Sequence, residues 1–202
     1  MLMTVPELKS ARVYGDGSVF NNGRENASGG YGFHIEIGGV MTHVGGGYVP
    51  PKCTNNISEM MAVIAPLRLL RSRPDLDVIS FVSDSRYVVD GMNSWAAGWE
   101  RRDWRNAEGQ PVKNRDLWEK ILQYKRTLNI SAKWVKGHAG HHLNEVVDSI
   151  AHYCNKNQIV FLMDVTPANH DQVSSMLLGI SSAPATKRAA PTARLIDTFN
   201  KF

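Results

Sequence analysis

The sequence predicts a mixed α/β domain whose elements run β-β-β-α-β-α-β-α around a five-stranded mixed sheet flanked by helices. Three observations predict it. Residues 31–37 and 40–49 form two alternating runs joined at Gly38-Gly39, the pattern of a hairpin. Val78, Ile79, Phe81 and Val82 make a short β-branched and aromatic run of the kind that fills a strand buried on both faces. Met60, Met61, Ile64, Leu67 and Leu70 recur at helical spacing.

The elements follow in order. Residues 11–18 read as a first strand, closed by Asn, Gly and Ser punctuation over 21–30, and residues 31–37 and 40–49 return as the second and third. Pro50-Pro51 breaks that meander before a helix over 57–71, where Pro66 removes one backbone hydrogen bond and is expected to bend the axis. The central strand over 78–83 hands over to a helical stretch through 84–101, with Asp84 at the junction. In open α/β sheets that edge is where ligands bind. A polar loop over 103–112 leads to a helix over 114–128 capped by Asn114, then a fifth strand over 131–136 and a last helix over 144–157. Residues 1–156 are expected to form the domain. Residues 157–202 form a C-terminal extension, partly flexible, that ends in the linker-like tract SSAPATKRAAPTAR.

With 43% hydrophobic residues the 202-residue chain can bury a core, and no apolar run reaches the roughly 18 residues of a membrane span. No membrane role and a cytoplasmic location are expected, as the N-terminus lacks a signal peptide's apolar segment. Two cysteines, Cys53 and Cys154, exclude a disulfide framework. A net charge of +4 permits a polyanionic partner without demanding one.

Four acids fall at element ends or on a sheet-facing helix: Asp16, Glu59, Asp84 and Asp148. Each has an ordinary explanation taken alone. Asp16-Gly17 suits a hairpin turn, Glu59 a capping box with Asn56, Asp84 or Ser85 an N-cap, and Asp148 a solvated face. Clustered together they would repel one another and raise their own pKa values unless a hard divalent cation, Mg²⁺ or Mn²⁺, neutralised them.

The surrounding motifs are Asp16-Gly17-Ser18, Thr54-Asn55-Asn56 with Glu59, Asp84-Ser85 with Tyr87, and Gly137-His138-Ala139-Gly140-His141 with Asn144, Glu145 and Asp148. In this order, over residues 11–155, they resemble the type 1 ribonucleases H. The resemblance implies that fold and an endonuclease that hydrolyses the RNA strand of RNA/DNA hybrids. It implies Asp16, Glu59, Asp84 and Asp148 as metal-binding carboxylates and His138 as a mobile loop histidine that assists turnover. The implied chemistry uses two Mg²⁺ ions, or Mn²⁺, roughly 4 Å apart, and leaves 5′-phosphate and 3′-hydroxyl ends. A zinc site built on His138, His141, His142 and His152 is the rival reading, without a tetrahedral spacing to support it.

Between Trp95 and Trp118 lie four tryptophans with Arg101, Arg102, Arg105, Lys113 and Arg115. A basic cluster on one protrusion is an electrostatic footprint for a phosphate backbone. The segment resembles the family's basic protrusion, which grips the hybrid's DNA strand. Thr54 and Asn114 match its DNA phosphate pocket and Trp95 its DNA channel. Asn22, Asn55, Asn56 and Arg86 are candidates for the minor-groove side, with the main chain of Gly17 and Ser18 near the RNA. Departures from the family pattern are Gly15, Pro66, Arg86 in place of a common Gln, and Asp103 inside the basic arm. A non-catalytic hybrid-binding module and a DNA-cutting resolvase or integrase are the competing functions. A monomer is expected, and residues 195–202 are either a docking peptide for a protein partner or a disordered tail.

Overall fold

The computed structural model describes residues 9–182 except His138. The expected β-β-β-α-β-α-β-α succession is present, and a sixth strand joins it. In chain order the strands are β1 (Ser10–Phe20), β2 (Ser28–Ile37), β3 (Val40–Val49), β4 (Val78–Ser83), β5 (Ile130–Trp134) and β6 (Val160–Asp164). They lie side by side as β5-β4-β1-β2-β3-β6. β1, β4 and β5 are parallel, whereas β1–β2, β2–β3 and β3–β6 are antiparallel. The helices are α1 (Asn55–Leu70), α2 (Arg86–Asp90), α3 (Ala96–Arg101), α4 (Arg115–Thr127), α5 (His142–Asn157) and α6 (His170–Ser182). Among the described residues no helix is long and apolar enough to cross a membrane.

The core has two parts. The larger lies where α1 and α4 cover the sheet, and joins Val13, Phe33, Ile64, Leu67, Phe81, Trp118 and Ile121. The smaller lies under α5 and α6, and joins Val44, Val146, Ile150, Cys154, Phe161, Val173 and Leu177. β6 therefore does more than lengthen the chain: it satisfies the open edge of β3 and inserts Phe161 beneath α5. The sequence reading of five strands missed it because the apolar run IVFLM is too short to separate strand from helix, and its pairing partner is over a hundred residues away.

Three other differences have local causes. The helical stretch after β4 divides into α2, a π-helical turn over Gly91–Trp95, and α3. Gly91 abuts the indole of Trp118 so closely that a Cβ there would collide with it. The widened turn presents Asn93 to the outer edge of β5, donating to the Ala132 carbonyl (2.7 Å) and accepting from the Ala132 amide (3.2 Å). A side-chain amide thus covers part of an otherwise open strand edge. Asn114 does not cap α4 with its side chain. It takes a left-handed conformation (φ 57°) and its amide nitrogen lies 3.5 Å from the Tyr87 hydroxyl. At the start of α1 the cap is Thr54, whose hydroxyl accepts from the Ile57 amide (3.3 Å), and the helix continues through Pro66 to Leu70.

Candidate active site

Backbone approach places the four acids. The parallel register pairs Tyr14 with Val82 as its last rung, and Asp16 and Asp84 each follow two residues beyond it on neighbouring segments. Ser85, not Asp84, caps α2, its hydroxyl accepting from the Val88 amide (3.4 Å), so the Asp84 carboxylate is left for other work. Gly17 lets the first turn of α1 lie directly on β1, since a Cβ there would strike the Glu59 amide nitrogen. Gly32 pairs with Asp16 across β1–β2, and a Cβ on it would strike the Val147 carbonyl. The backbone of α5 therefore crosses the sheet at the Asp16 rung, and Asp148 follows one residue on. A Cβ on Gly137 would likewise strike the Asp84 carboxylate, so the chain that leads to α5 passes directly over that group.

Asp16 and Glu59 are buried, at 7% and 8% exposure, while Asp84 and Asp148 are half-buried. Burial, and then the negative charges of Asp84, Glu59 and Asp148, push the Asp16 carboxyl up to about 9 from an ordinary 3.8, against the hydrogen bond it accepts from the Gly17 amide (2.7 Å). Glu59 is pushed up to about 7, chiefly by burial and further by Asp84. Ser85 and the Asn55 amide, which donates to Oε1 (2.8 Å), offset part of the rise. Asp84 Oδ2 accepts from Asn144 (3.3 Å), and its main-chain oxygen accepts from the Trp134 indole (2.9 Å).

Among the described residues Glu59 Oε2, Ser18 Oγ and Asn144 Oδ1 are buried without a hydrogen-bond partner. Orphaned oxygens beside repelling carboxylates are what a hard divalent cation satisfies, because it takes oxygen ligands and cancels the charge. Among the described residues the acids couple through space without closing into a ready-made cage of three or more ligands. The donor set nonetheless fits Mg²⁺ or Mn²⁺, as it offers carboxylate, amide and hydroxyl oxygens and no soft ligand.

The residues assigned to substrate divide by position. Thr54, Asn55 and Asn56 start α1 beside Glu59, Asn22 is exposed in the turn after β1, and Ser18 is buried one alternate residue along from Asp16. Arg86 lies flat over the Trp134 ring, 3.9 Å from its centroid, at the exit from Asp84. Arg101, Arg102, Arg105 and Lys113 are on the arm built from α3 and the loop to α4, and all four are exposed. Trp95 is 39% exposed and packs on Trp99 (5.8 Å), which packs on buried Trp118 (5.7 Å); Trp104 is also buried. The tryptophans thus stiffen the arm from inside while its cations face water. His138 and residues 195–202 lie outside the described residues.

Sequence reading assigned no role to Asn144, Trp134 or His152 at this site. For Asn144 a signal existed in the Asn144-Glu145 spacing before Asp148. For His152 the signal was its i,i+4 spacing from Asp148 on one helix, although the sequence placed it only in the rival zinc reading; for Trp134 there was none, since its contact depends on how β5 sits beside Asp84.

Buried carboxylates at adjoining strand and helix ends, beside a cationic protrusion, define a hydrolase of nucleic acids. The family model for RNase H matches residues 9–155. Ribonuclease H of Thiobacillus denitrificans is 42% identical over 139 residues, covering 69% of this chain and 88% of that protein. Ribonuclease H of Paramagnetospirillum magneticum is 38% identical over 151 residues, covering 75% and 93%. The fold is similar to the crystal structure of LC9-RNase H1, a type 1 RNase H with the type 2 active-site motif, at 25% identity and a TM-score of 0.70 over 96% of this chain and 98% of that one. That coverage runs past residue 155, so the likeness takes in the added strand and helix. The chain belongs to the RNase H family, and it is a nuclease.

Proposed function

We propose that the chain is an endoribonuclease that hydrolyses the RNA strand of RNA/DNA hybrids by a two-metal-ion mechanism, leaving 5′-phosphate and 3′-hydroxyl ends. The observation that carries the reading is the electrostatic cluster of Asp16, Glu59, Asp84 and Asp148, set in a family member with an exposed basic arm. Bound Mg²⁺ or Mn²⁺ would supply Lewis acidity and a water of lowered pKa. The four carboxylates would hold those ions, with Asn55 orienting Glu59 and Asn144 orienting Asp84. Gly17, Ser18, Asn22, Asn55, Asn56 and Arg86 meet the strand that carries 2′-hydroxyls. Thr54, Asn114 and Trp95, with Arg101, Arg102, Arg105 and Lys113, hold the DNA strand through its phosphates and carry little sequence information. His138, which follows Gly137 in the chain, assists turnover.

The test is cleavage of end-labelled RNA/DNA hybrid, with single-stranded RNA, duplex RNA and duplex DNA as controls, with and without Mg²⁺. Mg²⁺-dependent loss of the RNA strand of the hybrid alone is expected. Cleavage of hybrid that survives Asp84→Asn would remove the site assignment.

A further inference from the structure

Three of the four carboxylates each accept a hydrogen bond from a neighbouring amide: Asp16 from Gly17, Glu59 from Asn55 and Asp84 from Asn144. Asp148 is served differently. His152 lies one turn further along α5, with Nδ1 3.1 Å from Asp148 Oδ1 and 3.2 Å from the Asp148 main-chain oxygen. Both of these oxygens are acceptors, so Nδ1 carries a hydrogen toward them. The imidazole also meets the side chain of Phe20, the last residue of β1, edge to face at 6.0 Å between centroids and 64° between planes. β1 is the strand that carries Asp16. The ring is therefore held between that strand and the helix that carries Asp148.

A pair at this spacing on an ordinary helix surface contributes little, because solvent screens it. The setting here is different, because Asp148 is one of the three charges that act on Asp16. We propose that His152 is a positioning residue for cation binding: its Nδ1–H, fixed by Phe20, holds the Asp148 carboxylate toward Asp16. The inference rests on the reading of Asp148 as a metal ligand given above.

The experiment titrates the full chain with Mg²⁺ at about pH 8, where an ordinary imidazole is neutral, by calorimetry and by the Mg²⁺ concentration that half-saturates hybrid cleavage, for wild type, His152→Ala, His152→Asn and Asp148→Asn. Loss of an outer hydrogen-bond partner raises both concentrations by about 10–100-fold in His152→Ala. The KM for hybrid and the melting temperature in EDTA stay at wild-type values. His152→Asn, whose amide nitrogen takes the place of Nδ1, recovers most of the loss. His152→Ala that titrates like wild type while Asp148→Asn is impaired overturns the inference and leaves the site reading intact. Asp148→Asn that binds Mg²⁺ like wild type overturns both. A loss in His152→Ala that is matched by a lower melting temperature in EDTA, and not recovered by His152→Asn, assigns the ring to folding and also overturns it.

Discussion

Asp16→Asn is the most direct test of the carboxylate cluster, because the substitution keeps an oxygen to accept from the Gly17 amide and removes only the charge. The folded-state carboxyl lies at about 9 and the ordinary value is 3.8. The folded protein therefore retains this proton where the unfolded chain has lost it. The group's contribution to stability is full below the ordinary value and falls as pH rises toward about 9. From about pH 5.5 to about pH 7.5 wild type without metal therefore loses on the order of 3 kcal/mol through this residue. For a chain of this size that is about 6–12 °C in Tm. The carboxamide introduced by Asp16→Asn has no such proton to lose. Thermal melts in EDTA at the two pH values should show a wild-type decline larger than the variant's by that amount, other titrating groups cancelling in the difference. Mg²⁺ should restore wild type at the higher pH and leave the variant unmoved, while hybrid cleavage by the variant falls by at least about 10²-fold. Coincident pH slopes in EDTA, or equal stabilisation by Mg²⁺, would refute a proton held on Asp16 by burial and by its acidic neighbours.

Further outcomes follow from other parts of the structure. Phe161 is 3% exposed beneath α5, so Phe161→Ala should cost about 3–5 kcal/mol, read as a shift of the urea midpoint at unchanged slope; a surface-like change below about 1 kcal/mol would show that β6 is not part of the folded core. His34 is buried with neither ring nitrogen partnered among the described residues, and burial lowers it to about 4 from an ordinary 6.5. Its contribution is thus present above the ordinary value and lost as pH falls toward about 4, so His34→Leu should reduce the acid destabilisation between those pH values by about 3 kcal/mol, measured by melts at about pH 4 and about pH 7. Arg101→Ala with Arg102→Ala removes two exposed cations of the arm. The KM for hybrid should rise and the salt dependence of log K should flatten by up to about 1.8, with kcat nearly unchanged; an equal fall in kcat would place these residues in the chemistry instead.

Much of the fold was legible because local pattern and burial agreed. Val40–Val49 and Val78–Ser83 have the bounds that their apolar patterns predict, since each run is bracketed by residues that cannot extend it, Gly38-Gly39 and Pro50 for one and the Ser83-Asp84-Ser85 junction for the other. The six-stranded sheet was not legible, because a five-residue strand acquires its meaning from the edge it joins. Nor was the π-helical turn, which answers the bulk of Trp118 and the open edge of β5 rather than any propensity of Gly91–Trp95. Asn114 reads as a cap from its residue type, whereas its left-handed backbone turns the side chain toward Tyr87.

Residue order alone established which groups are available: four acids in family order, a basic arm rich in tryptophan, and no soft ligand set at a metal spacing. That these acids interact is a property of the folded chain. Gly17 and Gly32 let α1 and α5 approach β1 and β2 at the level of Asp16, and so brought Glu59 and Asp148 within electrostatic reach of it. Charge repulsion depends on distance and burial, and neither quantity is written in the succession of residues along a chain.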